Sequence, residues 1–103
     1  MVMTHESIVQ HQGACPYMST LAEKKHMGRV VELGCIICES PAQAHHIREG
    51  QGMSQRASNW LVIPLCPEHH TGALSVHKTA KQFANIYGSE LDLLAITIQR
   101  LMA

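Results

Sequence analysis

From Thr20 onward, the apolar and polar positions predict a helix, a short hairpin and then further helices. Thr20 followed by Glu23 has the spacing of a capping box, which opens a helix running to about Leu33. Met27, Val30 and Val31 lie close in helical projection and form its expected buried side. Gly34 ends it. Gln43 to Arg48 is short enough to be a strand, and the near-continuous apolar run Trp60 to Leu65 reads as the return strand. Pro64 pushes that strand toward an edge or a strand end. Between the two, Glu49 to Ser58 carries Gly50, Gly52 and Ser54, a loop composition. Pro67 then suits the first turn of a short helix holding His69 and His70.

After His77 the pattern turns helical again, over Thr79 to Tyr87 with Gly88 as a stop. Ser89 caps a last helix in which Leu91, Leu94, Ala95, Ile98, Leu101 and Met102 follow the i, i+3, i+4, i+7 rule. Leu93 and Ile96 widen that face, either as core or as a homodimer contact. Residues 1–18 are polar, hold no Lys or Arg, and include Gly13 and Pro16, so they read as a flexible arm. The expected organisation is that arm followed by a single α+β domain over 19–103.

Composition adds bounds. A chain of 103 residues is one domain with a modest core, for which a structural metal is a common remedy. Eight Lys+Arg balance eight Asp+Glu, so no global basic field argues for nucleic acid. Locally, from Ala44 to Lys81, Arg48, Arg56, Lys78 and Lys81 outnumber Glu49 and Glu68, an excess compatible with phosphate binding. Met1 to Gln10 lacks the basic start and apolar run of a signal peptide, and no segment approaches the ~20 apolar residues of a membrane span. Four cysteines, with Cys35, Cys38 and Cys66 in metal-type spacing, fit a reduced, cytoplasmic setting rather than a disulfide framework. Cys15 is the odd one out.

The spacing carries the chemistry. Cys35-x-x-Cys38 and Cys66-x-x-His69 are two matched hooks, together supplying the four ligands of a tetrahedral structural Zn2+. His45, His46, His70, His77 and Asn59 are then left over, more side chains of catalytic type than a structural site needs. His45 and His46 are adjacent on a strand and should diverge. His69 and His70 are ~100° apart on a helix, so each pair splits its duties. His69 goes with the hooks, while His70 turns to meet His45 across the hairpin. An uninterrupted helix would hold His70 and His77 ~10.5 Å apart along its axis. Two nitrogens on one ion must lie within about 4 Å of each other. The helix must therefore stop near Thr71-Gly72-Ala73 if His77 is to share that ion. His46 stays free of metal, and an imidazole with a pKa of about 6.5 is suited to take a proton from water. Asn59 is either a turn former or the amide that ties the loop together and holds His46. His5, His11 and His26 fit no ligand pattern.

In this order, these residues resemble the HNH (ββα-metal) nucleases: a His-His-Ile strand, an Asn before the return strand, then a helix presenting His. The zinc-knuckle version of that family typically reads Cys-x-x-Cys, then Cys-x-x-Cys-His-x-x-x-His. Here His69 stands at the fourth cysteine and the last histidine is delayed to His77. With Met27 to Cys35, His45-His46-Ile47-Arg48, Ile63 to Cys66 and Phe83 to Gly88, the chain looks like one branch. That branch is the Ref-like, RecA-dependent recombination-enhancement nucleases of phages and prophages. The match runs over roughly residues 24–94.

The resemblance implies a small zinc-stabilised ββα-metal core over 34–78, an N-terminal helix and C-terminal helices over 79–102. It implies hydrolysis of DNA phosphodiester bonds, with His46 as general base, helped by Asn59. His45, His70 and His77 would hold a catalytic divalent ion (Mg2+, Mn2+ or Zn2+), and the products would carry 5′-phosphate and 3′-hydroxyl ends. Arg48 and Arg56 are the expected DNA-phosphate contacts. DNA is the implied partner, together with the RecA–DNA filament that the founding members engage through a basic N-terminal extension. Nothing before Lys24 is basic here. The competing reading is a non-catalytic zinc-binding module for nucleic-acid or protein interaction, which has no need of His46, His70 or His77. A zinc deaminase would need His-x-Glu ahead of its Cys pair, whereas Ile47 and Arg48 follow the histidines and the Cys pair comes first.

Overall fold

The computed structural model describes residues 19–53 and 55–103. The arm expected over 1–18, with His5, His11 and Cys15, lies outside them. The described residues form a small α+β domain of four helices and one two-stranded sheet. Helix α1 spans Leu21–Glu32, strand β1 Gln43–His46 and strand β2 Val62–Leu65. Helices α2 (Pro67–Thr71), α3 (Ala80–Tyr87) and α4 (Glu90–Met102) follow. Among the described residues, no helix is long and apolar enough to cross a membrane.

Local chemistry sets the helix starts. Thr20 Oγ1 accepts from Glu23 N at 3.0 Å and Glu23 Oε1 accepts from Thr20 N at 2.8 Å, so the capping box forms at α1. Ser89 and Asp92 make the same reciprocal pair at α4, each bond 3.1 Å long. Pro67 occupies the first turn of α2, where its missing N–H costs nothing.

β1 and β2 are antiparallel, pairing Gln43 with Leu65, Ala44 with Pro64, His45 with Ile63 and His46 with Val62. Every residue of β2 is buried, which explains its unbroken apolar run, whereas in β1 only His45 is buried. The sheet is shorter than its sequence pattern. Trp60 lies in the turn before β2, about half exposed, with the His26 ring 4.9 Å away, and Arg48 lies beyond β1. The first hook docks on the outer edge of β2, where Ile36 N donates to Pro64 O at 2.9 Å.

The core gathers Ile36, Ile47, Ile63, Leu65, Val76, Phe83, Leu93 and Leu94 around the sheet. Val30 is fully buried, with Met27 and Val31 half-buried beside it. Helix α4 corrects the expected face. Leu93, Leu94 and Thr97 are buried, while Leu91, Ala95, Ile98 and Met102 are exposed, and Ile96 is exposed rather than widening the core. Periodicity alone left two adjacent arcs apolar. The tie between Glu90 and the loop after β1 turns the 93/94/97 arc inward. Thr97 satisfies its own buried hydroxyl by donating to Leu93 O at 2.9 Å.

Candidate metal centres

Two clusters of ligand atoms form where the sheet meets α2. In each, one candidate ligand atom per residue lies within 4.8 Å of the others. The first cluster is Cys35, Cys38, Cys66 and His69; the second is His45, His70 and His77.

Backbone turns build the first cluster. After α1 the chain reverses at Gly34, whose φ of 82° is open to glycine, and an added Cβ would lie 2.9 Å from Glu39 O. Cys35 N then donates to Ser40 O, Glu39 N to Cys35 O, and Ile37 N to Cys35 Sγ at 3.4 Å, closing the hook. The second hook comes from the start of α2, which sets Cys66 and His69 three residues apart on one side. Cys38 Sγ is 3.7 Å from Cys66 Sγ, Cys35 Sγ is 3.7 Å from His69 Nδ1, and Cys66 Sγ is 3.2 Å from that nitrogen. A tetrahedral zinc at ~2.3 Å from sulfur and ~2.05 Å from nitrogen needs separations of about 3.8 Å and 3.5 Å. The donor set therefore fits a metal such as zinc. Hydrogen bonds from the Ser40 side chain and backbone hold the Cys38 thiol down to about 6, so it is ready to bind as thiolate. Burial pushes the Cys66 thiol up, and its neighbouring thiols add to that, a penalty that a bound cation relieves. The His69 ring packs against Phe83 and Tyr87, with centroids 6.5 Å and 5.6 Å away.

The second cluster draws on three separate segments. His45 comes from β1 and is 2% exposed, His70 comes from α2, and His77 lies beyond it. The helix stops at Thr71, and the chain folds back so that Val76 N donates to His69 O at 3.0 Å and His77 N to His70 O at 3.3 Å. Gly72 sits at the fold-back, where a Cβ would lie only 2.4 Å from Glu68 O. As a result Nε2 of His70 and Nε2 of His77 are 3.1 Å apart, and the His45 ring stands edge-on to both at centroid distances of 5.0 Å and 4.9 Å. Two nitrogens of one tetrahedral ion are about 3.4 Å apart, so this set also suits a metal.

Oxygen acceptors fix the rings. Nδ1–H of His70 donates to Gln43 Oε1 at 2.8 Å, leaving the Nε2 lone pair free to face His77. Nε2–H of His45 donates to Glu90 Oε2 at 2.5 Å. Burial lowers the pKa of both His70 and His77, and His45 adds to the effect in each, so both are neutral, lone-pair-bearing imidazoles near pH 7.

His46 points away from the cluster, on the other face of β1. Its Nε2–H donates to Asn59 Oδ1 at 2.8 Å, and Asn59 Nδ2 in turn donates to Ser19 Oγ at 3.0 Å. Among the described residues no hydrogen bond is made by His46 Nδ1, which is left as a free base. Burial pushes its pKa down, and Arg56 and His45 lower it further, against the raising effect of Asn59. Arg48 and Arg56 are exposed in the segment between the strands. Arg48 donates to Gln55 O within that loop, and its charge also lowers the pKa of His77.

Two residues were not anticipated from sequence. Gln43 and Glu90 hold His70 and His45, yet they stand 27 and 45 positions away from them. An acid in the first turn of a helix is ordinary in its own right, so only the fold exposes this second task. Burial raises the Glu90 carboxyl, but hydrogen bonds from His45 and from the Arg48 and Glu49 backbone outweigh it and hold it below the usual range.

The family model described as "Protein of unknown function (DUF968)" matches residues 10–103. The "Uncharacterized protein YdfU" of Escherichia coli (strain K12) is 39% identical over 72 residues, which make up 67% of this chain and 20% of that protein. The chain thus spans about a fifth of the length of that curated relative.

Proposed function

The chain belongs to the DUF968 family of proteins of unknown function, and from its two ligand sets we propose that it is a metal-dependent DNA endonuclease of the HNH (ββα-metal) type. One observation carries the reading. The nitrogens of His45, His70 and His77 converge beside a thiolate-rich set that already fits a structural zinc, while the neighbouring His46 is left as an oriented free base.

The roles follow from the chemistry of each group. Cys35, Cys38, Cys66 and His69 would hold zinc, which would brace the hairpin on α2. A divalent ion held by His45, His70 and His77 would supply Lewis-acid stabilisation of the phosphoryl oxygens and the departing 3′ oxygen. His46 Nδ1 takes a proton from water as the water oxygen bonds to phosphorus and the bond to the 3′ oxygen breaks; the 3′ oxygen then takes a proton from solvent, giving 5′-phosphate and 3′-hydroxyl ends. In-line displacement needs entering and leaving oxygens on opposite sides of phosphorus. Adjacent strand residues with diverging side chains suit that demand. Asn59 orients the base. Arg48 and Arg56, whose charges are felt at His77 and His46, are the residues that would contact phosphates. The likeness to the Ref-like branch supports a role in recombination-linked DNA processing with DNA as substrate; the RecA–DNA filament is a partner to be tested, since nothing before Lys24 is basic.

The test is nicking of supercoiled plasmid in Mg2+ or Mn2+ by wild type and by His46→Ala. Loss of the general base should slow the reaction by ~10²–10⁴. Equal rates in the two proteins would remove His46 from the mechanism. A wild-type protein that binds both ions and nicks nothing is a non-catalytic zinc module.

A further inference from the structure

We propose that Glu90 is a positioning residue for the histidine-rich centre, holding the His45 ring by its Nε2–H so that the Nδ1 lone pair faces the ion. The inference rests on the reading that His45, His70 and His77 share one ion. It concerns a residue that lies outside both ligand sets.

The carboxylate is itself fixed. Oε2 accepts from His45 at 2.5 Å, while Oε1 accepts from the backbone N–H of Arg48 at 2.7 Å and of Glu49 at 2.8 Å. A carboxylate pinned from both oxygens cannot swing away to become a ligand, and it cannot leave His45 free to rotate. The imidazole depends on it, since His45 is 2% exposed and the Glu90 side chain only 12% exposed, so solvent has little access to this bond. An anionic acceptor on the far nitrogen also makes the ligating nitrogen a stronger donor, the logic of a carboxylate–histidine–metal triad. Gln43 does the same for His70 with a neutral amide. The Glu90 contact is therefore the stronger of the two orienting bonds. Because Glu90 is the first residue of α4, the helix start and the open centre are joined through a single side chain.

The experiment is a calorimetric titration of the zinc-loaded full chain with Co2+, comparing wild type, Glu90→Ala, Glu90→Gln and the neighbouring exposed Glu49→Ala. Glu90→Ala should weaken Co2+ binding by about 10–100-fold, with zinc content unchanged. Glu90→Gln keeps one neutral acceptor and should fall between it and wild type. Glu49→Ala should match wild type. If Glu90→Ala fails to retain zinc, Glu90→Gln decides the matter with its zinc content as control. Wild-type Co2+ affinity in the Glu90 variants would overturn the proposal. A wild-type protein that takes up no Co2+ beyond its zinc would instead overturn the metal reading beneath it, and the proposal with it.

Discussion

The two centres share α2 but are held in different ways. The cysteine-rich set is made by two hooks whose geometry is written into consecutive residues and braced by backbone N–H groups. Cys35 and Cys66 are buried, and Phe83 and Tyr87 pack against His69. The histidine set is assembled from β1, α2 and the fold-back, and depends on Gln43 and Glu90 to aim its rings. Each set has one exposed ligand, Cys38 in the first and His77 in the second, so the difference lies in ligand number and in where the ligands come from. A centre of local hooks that offers all four ligands of a tetrahedral ion serves folding. A three-ligand centre built from distant segments leaves a coordination position open, at the cost of depending on the whole fold.

Metal removal should separate the two most sharply. Zinc in sites of this class contributes ~10–16 kcal/mol, comparable with or greater than the ~5–15 kcal/mol total stability of a small domain. Strong chelation, or Cys35→Ser, should therefore unfold the centre of the domain, whereas His77→Ala should leave it folded; circular dichroism through a thermal melt reads both. A chain that keeps its melting curve without zinc would erase the distinction between a structural and an open centre.

A smaller effect is expected at the fold-back. Gly72→Ala sets a Cβ against the Glu68 carbonyl and should cost ~1–3 kcal/mol by overpacking. Because the displaced segment carries His77, second-ion affinity should fall while bound zinc stays. Urea melts with and without Co2+ would expose any case in which both centres weaken together. The smallest effect is at α4. Ser89→Ala removes the helix cap and should cost ~1 kcal/mol, read as a lower urea midpoint at unchanged slope.

Legibility followed the same division. The hooks, the Thr20–Glu23 capping box, the Ser89 cap, the Pro67 start and the break between His70 and His77 could be read because each is settled within a few residues. The buried arc of α4 could not, since Leu91-Ala95-Ile98 and Leu93-Leu94-Thr97 are both plausible faces until the rest of the fold chooses one. Glu90 and Gln43 were invisible for a related reason. Their partners are fixed by the tertiary approach of α4 and by the register of β1, and no local pattern encodes either.

Pro64 has one more consequence. It pairs with Ala44 at a position where strand N–H groups point away from β1, toward the free side of the sheet, and there it has none to offer. Its carbonyl on that side is already taken by Ile36. A ribbon of two short strands would otherwise be a template on which a neighbouring chain could add itself. Here that flank has neither a donor nor an acceptor to extend at Pro64, so the hairpin is protected there against growing into an aggregate.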